Sequence, residues 1–525
     1  MHRHDMVARL DQRNTPWDII VIGGGATGVG IAVDAASRGY DVVLLEQHDF
    51  GKGTSSRSTK LVHGGVRYLE QGNIALVMEA LKERGLLRQN APHLVSNLAF
   101  VVPSYDWWEA PFYGLGLKIY NALAGKYGFG SSEILSRDET LARLPTIRTE
   151  GLRGGVVYYD GQFDDARLLI NLAETAAEQG ATLLNYVRVT GITNGADGFV
   201  DGVVASDQET GRQWTIGARV VINATGAFSD SVRRLAEPDV QPLMAPSQGI
   251  HLVFHSSFLS SKSAIMVPHT SDGRVMFAIP WHGHTLVGTT DTPIATPTLE
   301  PRPLEEEIEF ILETASQYLV TAPTRSDVLS VFVGIRPLVK SGDGKLTAAL
   351  SRDHTIHFDT SGLLTATGGK WTTYRSMAEH AVDQAADFAG LAERPCVTRT
   401  LNVHGFHSNA ERFGTLSVYG SDALGIQDLM RATPSLATPL HARLPYRGAE
   451  VVWAARHEMA RTVEDVLARR TRALFLNARA AEAMAPEVAR LMAGELGWDA
   501  ARQAAEAASF STLAKGYQIE AQARA

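Results

Sequence analysis

Residues 18–46 contain the feature that most constrains the fold of this chain. The segment DIIVIGGGATGVGIAVDAASRGYDVVLLE has an apolar run, a glycine-rich turn, a helix-forming stretch and a second apolar run that ends in an acid. Gly23, Gly25 and Gly28 match G-x-G-x-x-G, in which the glycines allow a tight turn, close approach of the backbone to a pyrophosphate and close packing of helix on strand. Glu46 follows Gly28 by 18 residues, where a carboxylate accepts hydrogen bonds from adenosine ribose. The segment therefore predicts a Rossmann-like βαβ unit that binds a dinucleotide.

The next segment helps to decide between NAD and FAD. Residues 51–70, GKGTSSRSTKLVHGGVRYLE, are rich in Ser, Thr and Gly directly after the acid-ended strand. Hydroxyls and closely approaching backbone N–H groups suit a long diphosphate and ribityl chain. This composition favours FAD.

Six motifs carry a resemblance to a known family. TSSRSTKLVHGGVRYLE at 54–70 resembles the flavin-contacting segment of the FAD-dependent glycerol-3-phosphate dehydrogenases. The same family is resembled, in the same order, by FAIPWHGHTLVGTTDT at 277–292, VGIRPL at 333–338, SRDHTI at 351–356, TATGGKWTTYR at 365–375 and MARTVEDVLARRTRALFL at 459–476. The resemblance runs from about residue 16 to about residue 480. It implies noncovalent FAD, oxidation of sn-glycerol 3-phosphate to dihydroxyacetone phosphate, and ubiquinone or menaquinone as electron acceptor.

The motifs give a set of candidate FAD-binding residues. His63 is expected at the edge of the isoalloxazine ring, and Lys370 is placed to stabilise negative charge near N1 and O2 of reduced flavin. The full set is Gly23, Gly25, Thr27, Gly28, Glu46, Thr54, Ser55, Ser58, Lys60, Leu61, His63, Gly64, Gly65, Arg188, Ala224, Gly226, Gly334, Gly369, Lys370, Trp371 and Thr372.

Oxidation of a phosphorylated secondary alcohol requires cations for the phosphate and a base for the hydroxyl proton. Guanidinium groups suit phosphate because of their fork of donors, and a lysine supplies a point charge. The resemblance places basic pocket positions at Arg67, Arg336, Arg352 and Lys370. Any one of them taken alone could be a surface ion-pair residue. Tyr68 is a further candidate, although adjacent residues usually face apart.

His251 in SQGIHLVFH is the leading candidate for the base, because imidazole titrates near neutral pH. Two alternatives for the base are Lys370 and a group near Arg336 whose pKa is lowered by that arginine. A buried structural histidine is the alternative interpretation of His251.

Three separated pieces, 16–75, 156–230 and 362–390, are predicted to build the FAD-binding domain. Short β-like runs with Pro and Gly breaks at 76–155 and 235–350 predict an antiparallel-sheet substrate domain. Residues 395–525 predict a C-terminal helical domain. Within it, the charges of 459–476 favour a solvated or ion-paired helix face.

Composition excludes several classes of protein. The formal charge of −8 disfavours nucleic acid as the main partner. Cys396 is the only cysteine, which excludes intramolecular disulfides and Cys-built clusters, and the 17 histidines show no HExxH spacing, so we expect no metal. The chain has no run of 18 apolar residues and no apolar signal core, which predicts a cytoplasmic protein.

Residues 105–129 combine Trp107, Trp108, Phe112, Tyr113, Tyr120, Tyr127 and Phe129 with Lys118 and Lys126. Such a stretch suits a helix that lies on the inner face of the cytoplasmic membrane, and a buried core is the alternative. We also expect a homodimer.

Three other functions remain open on the sequence. A glycerol-3-phosphate oxidase would share the flavin and phosphate chemistry but reduce O₂. An amine or amino-acid oxidase is disfavoured by the four cations, and a flavin-binding redox sensor by the complete pocket.

Overall fold

The βαβ unit at residues 18–46 forms the centre of a parallel sheet. The computed structural model describes residues 1–66, 73–268, 270, 273–340 and 354–520. In spatial order the sheet consists of Thr182–Leu184, Val42–Leu45, Trp17–Ile22, Gln213–Asn223, Leu364–Gly368 and His354–Phe358. The first five strands are parallel and the last pairs antiparallel at the edge. Two further strands, Val187–Asn194 and Val200–Asp207, extend from the first half of Gln213–Asn223.

Helices cover the parallel sheet, which explains why its strands are continuous apolar runs rather than alternating ones. Ile19, Ile20 and Val21 are completely buried. The helix Ala26–Ser37 packs against two other helices of the sheet. These helices and those at the ends of the sheet are Arg3–Gln12, Ala26–Ser37, Asp165–Glu178, Ser229–Ala236 and Tyr374–Phe388.

A second sheet lies beside the first and is antiparallel except for one pair of strands. In spatial order it consists of Thr292–Pro293, Ser247–His255, His284–Gly288, Met276–Trp281, Ser263–Val267, Val95–Ser104, Gly154–Phe163 and Leu61–Val62. Ser330–Arg336 pairs with Ser247–His255, and Glu133–Ser136 pairs with Gly154–Phe163. The parallel pair joins Ser263–Val267 to Val95–Ser104. Its helices are Ile74–Asn90, Glu109–Ala124, Arg137–Arg143 and Glu305–Tyr318.

The C-terminal region is mainly helical. Its helices are Ala423–Ala432, Gly448–His457, Ala473–Leu476, Ala478–Leu496 and Ala500–Lys515, with 3₁₀ turns at Ala410–Asp422 and a π-helical turn at Asp465–Arg470. A short hairpin, Pro439–His441 and Leu444–Arg447, interrupts them. Phe475 of this region packs on Phe332 of the antiparallel sheet, so the two share one core. The predicted fold class is confirmed.

One detail differs from the sequence-based division. Residues 156–163 were predicted in the FAD-binding domain, but they lie in the strand Gly154–Phe163 of the antiparallel sheet. Leu61–Val62 also joins this sheet, although it belongs to residues 51–70, which we call the flavin segment. Both assignments depend on pairing with distant strands, which local sequence does not specify.

Candidate active site

The glycine-rich turn has the geometry that a dinucleotide requires. Gly23 has φ +109°, and a Cβ there would lie 2.8 Å from the carbonyl oxygen of Ala224. A Cβ on Gly28 would lie 1.9 Å from the carbonyl oxygen of Gly23, so only glycine lets the helix approach the first strand. A Cβ on Gly25 would meet only Ser55 Oγ, at 3.2 Å. The start of the helix therefore stays open to a ligand, where backbone N–H groups favour an anion.

Glu46 is held beside this turn by backbone groups. Its Oε2 accepts from the Gly24 N–H at 2.6 Å and its Oε1 from the His48 N–H at 2.8 Å. Burial raises the pKa of the Glu46 carboxyl, and the two backbone donors oppose that rise. Each oxygen keeps lone-pair capacity for ribose hydroxyls.

A cavity of about 490 Å³ lies at the carboxyl ends of the parallel strands, where doubly wound sheets bind ligands. Twelve of the predicted cofactor residues line it: Gly23, Gly25, Thr27, Glu46, Thr54, Ser55, Arg188, Ala224, Gly226, Gly369, Lys370 and Trp371. We call it the cofactor cavity.

A second cavity, of about 240 Å³, continues from the first. Thr54, Pro337, Gly368, Gly369, Lys370 and Trp371 line both. The remaining predicted residues in its wall are Ser58, Leu61, His63, His251, Gly334, Arg336 and Thr372. We call it the substrate cavity.

Of the described candidates, Gly28, Lys60, Gly64 and Gly65 line neither cavity. Lys60 is completely buried, and its Nζ donates to Asp165 Oδ2 at 2.6 Å and to the Ser56 carbonyl at 2.8 Å. Burial lowers the pKa of Lys60 to about 7, although Asp165 opposes that shift. Lys60 therefore has a structural role: its ammonium group links the backbone of the flavin segment to Asp165.

His251 lies in the wall of the substrate cavity with its ring stacked on Phe332 at 4.8 Å. Its Nε2 is 2.9 Å from Thr59 Oγ1, and its buried Nδ1 has no hydrogen-bond partner among the described residues. Burial, and then the charges of Lys60 and Arg336, hold the pKa of His251 well below its ordinary value. The imidazole is therefore neutral at neutral pH. His251 was expected to titrate near neutral pH, and its buried environment lowers its pKa below that range.

Arg336 donates four hydrogen bonds to groups in the described part of the chain. Nη1 donates to Asp291 Oδ1 at 3.0 Å and to the Gln248 carbonyl at 3.3 Å. Nη2 donates to the Thr290 carbonyl at 2.8 Å and to Thr289 Oγ1 at 3.3 Å. Asp291, which the sequence analysis did not single out, lies in the quoted motif GTTDT and sets the orientation of the guanidinium group.

Three predicted substrate contacts, Arg67, Tyr68 and Arg352, lie outside the described residues. Arg57 and Thr59, which were not predicted as site residues, also line the substrate cavity. Both belong to the segment TSSRSTK, so the motif was the available signal. Arg57 donates to Glu300 Oε1 at 2.8 Å, so its charge is already paired with a carboxylate of the protein.

Comparison with known proteins agrees with this geometry. Residues 18–375 match the family model of FAD dependent oxidoreductases, and residues 368–503 match the C-terminal domain of alpha-glycerophosphate oxidase. The probable mitochondrial glycerol-3-phosphate dehydrogenase of Caenorhabditis elegans is 41% identical over 96% of this chain and 74% of its own length. The mitochondrial glycerol-3-phosphate dehydrogenase SDP6 of Arabidopsis thaliana is 42% identical over 94% of this chain and 85% of its own.

A solved structure covers the whole chain. The glycerol-3-phosphate dehydrogenase from Bacillus halodurans, complexed with FAD, superposes with a TM-score of 0.80 and 30% identity over 100% of this chain and 99% of that one. The chain belongs to the FAD-dependent glycerol-3-phosphate dehydrogenase family. The cofactor of this dehydrogenase is FAD, and the glycine turn, Glu46 and the cofactor cavity fit it. Cys396 lines neither cavity, and its Sγ is 2.9 Å from Asp34 Oδ1.

Proposed function

We propose that this dehydrogenase oxidises sn-glycerol 3-phosphate to dihydroxyacetone phosphate in the substrate cavity and passes the electrons to a membrane quinone. The observation that carries the proposal is a cavity with Arg336, Lys370 and His251 in its wall that continues directly from the cofactor cavity. The names of the relatives in Caenorhabditis and Arabidopsis support the choice of substrate.

Arg336 and Lys370 supply positive charge for the phosphate. Because Asp291 and two backbone carbonyls already orient Arg336, little side-chain entropy is lost when the substrate binds. Arg67, Tyr68 and Arg352 remain proposed phosphate or hydroxyl contacts on the resemblance alone. Bound FAD supplies the hydride acceptor at its N5.

His251 is the proposed base for the C2 hydroxyl proton. A histidine that is neutral in the free enzyme has the protonation state that a base requires. Its hydrogen bond to Thr59 Oγ1 and its stacking on Phe332 fix the ring plane. Lys370 is the alternative base, with its second proposed role beside N1 of the flavin.

An exposed apolar surface supports the choice of a membrane quinone. Trp108, Phe112, Leu115 and Ile119 recur at helical spacing around Glu109–Ala124 and are exposed, with Trp107 beside them. The opposite face is buried and includes Tyr113 and Tyr120. Tyr120 Oη accepts from the Gly64 N–H at 2.8 Å, so this helix contacts the flavin segment directly.

The apolar surface extends onto a neighbouring helix. Ile74 and Met78 of Ile74–Asn90 are also about half exposed, and the two helices are in contact. Such a surface, flanked by Lys118, suits the interfacial region of a bilayer. Among the described residues, no helix is long and apolar enough to span a membrane. We propose peripheral attachment to the inner face of the cytoplasmic membrane, and a homodimer.

The second candidate is a glycerol-3-phosphate oxidase, favoured by the match of residues 368–503 to an alpha-glycerophosphate oxidase domain. The two functions differ in the electron acceptor.

Anaerobic titration with glycerol 3-phosphate should bleach the flavin absorbance at one equivalent per chain, with glycerol and lactate as control substrates. Addition of a short-chain quinone should restore the absorbance faster than air does and without hydrogen peroxide. Stoichiometric peroxide with slow quinone reoxidation would establish the oxidase, and absence of bleaching would refute both.

A further inference from the structure

A histidine outside the proposed active site is surrounded by three carboxylates. His404 Nε2 lies 2.8 Å from Asp422 Oδ2 and 3.5 Å from Glu174 Oε2, and its Nδ1 lies 2.6 Å from Glu178 Oε1. Glu174 and Glu178 belong to the helix Asp165–Glu178 of the parallel sheet, whereas His404 and Asp422 belong to the C-terminal region. None of these four residues lines either cavity of the proposed active site.

The ring of His404 has the orientation of a metal ligand with a supporting carboxylate. With a carboxylate oxygen 2.6 Å from Nδ1 and another 2.8 Å from Nε2, His404 donates from both ring nitrogens in this structure. A binding metal ion would displace the Nε2 proton, and the freed lone pair would face Glu174 and Asp422 while Glu178 keeps the Nδ1–H. The His404 backbone is also fixed, because its N–H donates to Thr175 Oγ1 and its carbonyl accepts from Asn171 Nδ2, both at 2.8 Å. The backbone position of His404 is therefore held before any ion binds.

Glu174 supplies an independent indication of a ligand. Its side chain is only 5% exposed, and its Oε2 is buried without a hydrogen-bond partner among the described residues. Its ion pair with His404 Nε2 is long, at 3.5 Å. A buried carboxylate oxygen without a hydrogen bond is costly, and a cation in direct contact with it lowers that cost.

Two cations lie near the cluster, and each makes its direct hydrogen bonds elsewhere. Arg167 donates to Glu458 Oε1 at 2.5 Å and to the Arg470 carbonyl at 2.6 Å. The N-terminal ammonium of Met1 donates to the His457 carbonyl at 2.7 Å.

We propose that Glu174, His404 and Asp422 bind one divalent transition-metal ion that joins the C-terminal region to the FAD-binding region. Their three ligand atoms lie within 4.8 Å of one another. A tetrahedral zinc site with bonds of about 2.0–2.1 Å separates its ligand atoms by about 3.3 Å, so side-chain shifts below an ångström complete it. One nitrogen and two oxygen donors without sulfur suit zinc or manganese, with water in the fourth position.

The site was not predictable from spacing. Its ligands lie at positions 174, 404 and 422, and the folded chain brings them together from two regions. No metal was expected from the sequence because the chain has no local ligand motif such as HExxH. An ion at this position would stabilise the folded chain, since the unfolded chain does not assemble the ligands.

The test uses the full FAD-loaded chain after treatment with EDTA and dialysis. Isothermal titration with zinc chloride should show one ion per chain, and saturating zinc should raise the melting temperature by about 2–4 °C. His404→Gln and Glu174→Gln should each abolish this isotherm, and Glu178→Gln should weaken it by about 10–100-fold. His407→Gln, three residues from His404, is the matched control and should bind zinc like the parent.

X-ray absorption of the zinc-loaded parent requires no variant and should show nitrogen and oxygen ligands at about 2.0–2.1 Å, without sulfur. Variants that lose FAD are replaced by Asp422→Asn, whose side chain is partly exposed. No saturable binding by the parent, or binding in His404→Gln and Glu174→Gln equal to that of the parent, would show that the cluster is an ion pair only. None of these measurements depends on the proposed enzymatic activity.

Discussion

The residue that tests the proposed chemistry most directly is His251. Replacement by alanine should lower the rate of anaerobic flavin reduction by about 10²–10⁴-fold, because a positioned base is lost. Substrate affinity should stay within an order of magnitude, since the phosphate cations remain. The measurement is stopped-flow reduction of variants matched for FAD content.

The pH dependence of the flavin-reduction rate is a second test of His251 as the base. Burial, Lys60 and Arg336 hold the pKa of His251 well below 6.5, so its acidic limb should lie below the pH at which free imidazole titrates. That limb should disappear in His251→Ala. A rate within threefold of the parent with the limb retained would make His251 structural, and Lys370 would then be the next base to test.

Arg336 is predicted to act on binding rather than on the cofactor. Arg336→Ala removes a charge-assisted contact to phosphate, which costs about 1.5–3 kcal/mol, or a rise in KM of roughly 10–150-fold. FAD content should not change. Arg325→Ala, which removes an arginine paired with exposed Glu305 and Glu309, is the matched control. Equal steady-state kinetics in the two variants would remove Arg336 from the substrate pocket.

Among the elements, the glycine turn that begins the helix Ala26–Ser37 leaves no room for a Cβ at Gly28. Gly28→Ala should abolish or severely weaken FAD binding, because the new Cβ would lie 1.9 Å from the Gly23 carbonyl oxygen. Gly494→Ala, in the helix Ala478–Leu496, is the matched control, since its Cβ meets nothing within 4 Å. The control should stabilise its helix by up to about 1 kcal/mol. The measurement is bound FAD per chain, and equal FAD content in both variants would contradict the proposed packing role.

The apolar face of Glu109–Ala124 makes a prediction about membranes. Phe112→Ser with Leu115→Ser should reduce co-sedimentation with vesicles and quinone-coupled turnover, while anaerobic reduction by substrate is retained. Phe199→Ser is a control at an exposed phenylalanine in another part of the molecule. If both serine substitutions left vesicle binding unchanged, the apolar face of Glu109–Ala124 would not be the membrane-binding surface.

Elements were predictable where their determinants are contiguous. The strand, turn, helix and second strand at 18–46 follow from the local pattern, and the structure has them at Trp17–Ile22, Ala26–Ser37 and Val42–Leu45. The aromatic stretch at 105–129 was not assignable to surface or core, and the structure divides it: Tyr113, Tyr120 and Phe129 are buried, whereas Trp107 is 77% exposed. That division depends on which partner covers each face, which the sequence of the helix does not contain.

At the scale of the whole molecule, buried arginines join the C-terminal region to residues 49–56, around the start of the flavin segment. Residues 459–476 were expected to carry a solvated or ion-paired face, and the ion pairs are present but buried. Arg470 Nη1 contacts Asp49 Oδ2 at 2.6 Å with both side chains completely buried, and Arg472 Nη2 donates to the Ser56 carbonyl at 2.7 Å. The partners are separated by more than 400 positions, so sequence spacing could not reveal them.

Lys52 connects three parts of the molecule. Its Nζ lies 2.6 Å from Glu300 Oε1 and 2.5 Å from Glu464 Oε1, and Lys52 also lines the cofactor cavity. Burial alone would raise the pKa of both carboxyls. Arg57 and Lys52 lower the pKa of Glu300 to about 2, and Arg469 and Lys52 lower that of Glu464 to about 2.

These shifts predict how stability depends on pH. Because the folded pKa lies below the unfolded one, the ion pairs stabilise the fold above about pH 4.5, and this contribution is lost as the pH falls towards 2. At about 1.4 kcal/mol per pKa unit, each carboxylate contributes at most about 3.5 kcal/mol. Lys52→Met should therefore unfold more easily than the parent in urea at pH 7, at equal FAD saturation, and the difference should shrink in acid. Arg490→Met, which breaks an exposed pair with Glu487, should cost less than about 1 kcal/mol at any pH. Stability curves for Lys52→Met and the parent that run parallel from pH 7 to pH 3 would show that Lys52 does not couple these regions.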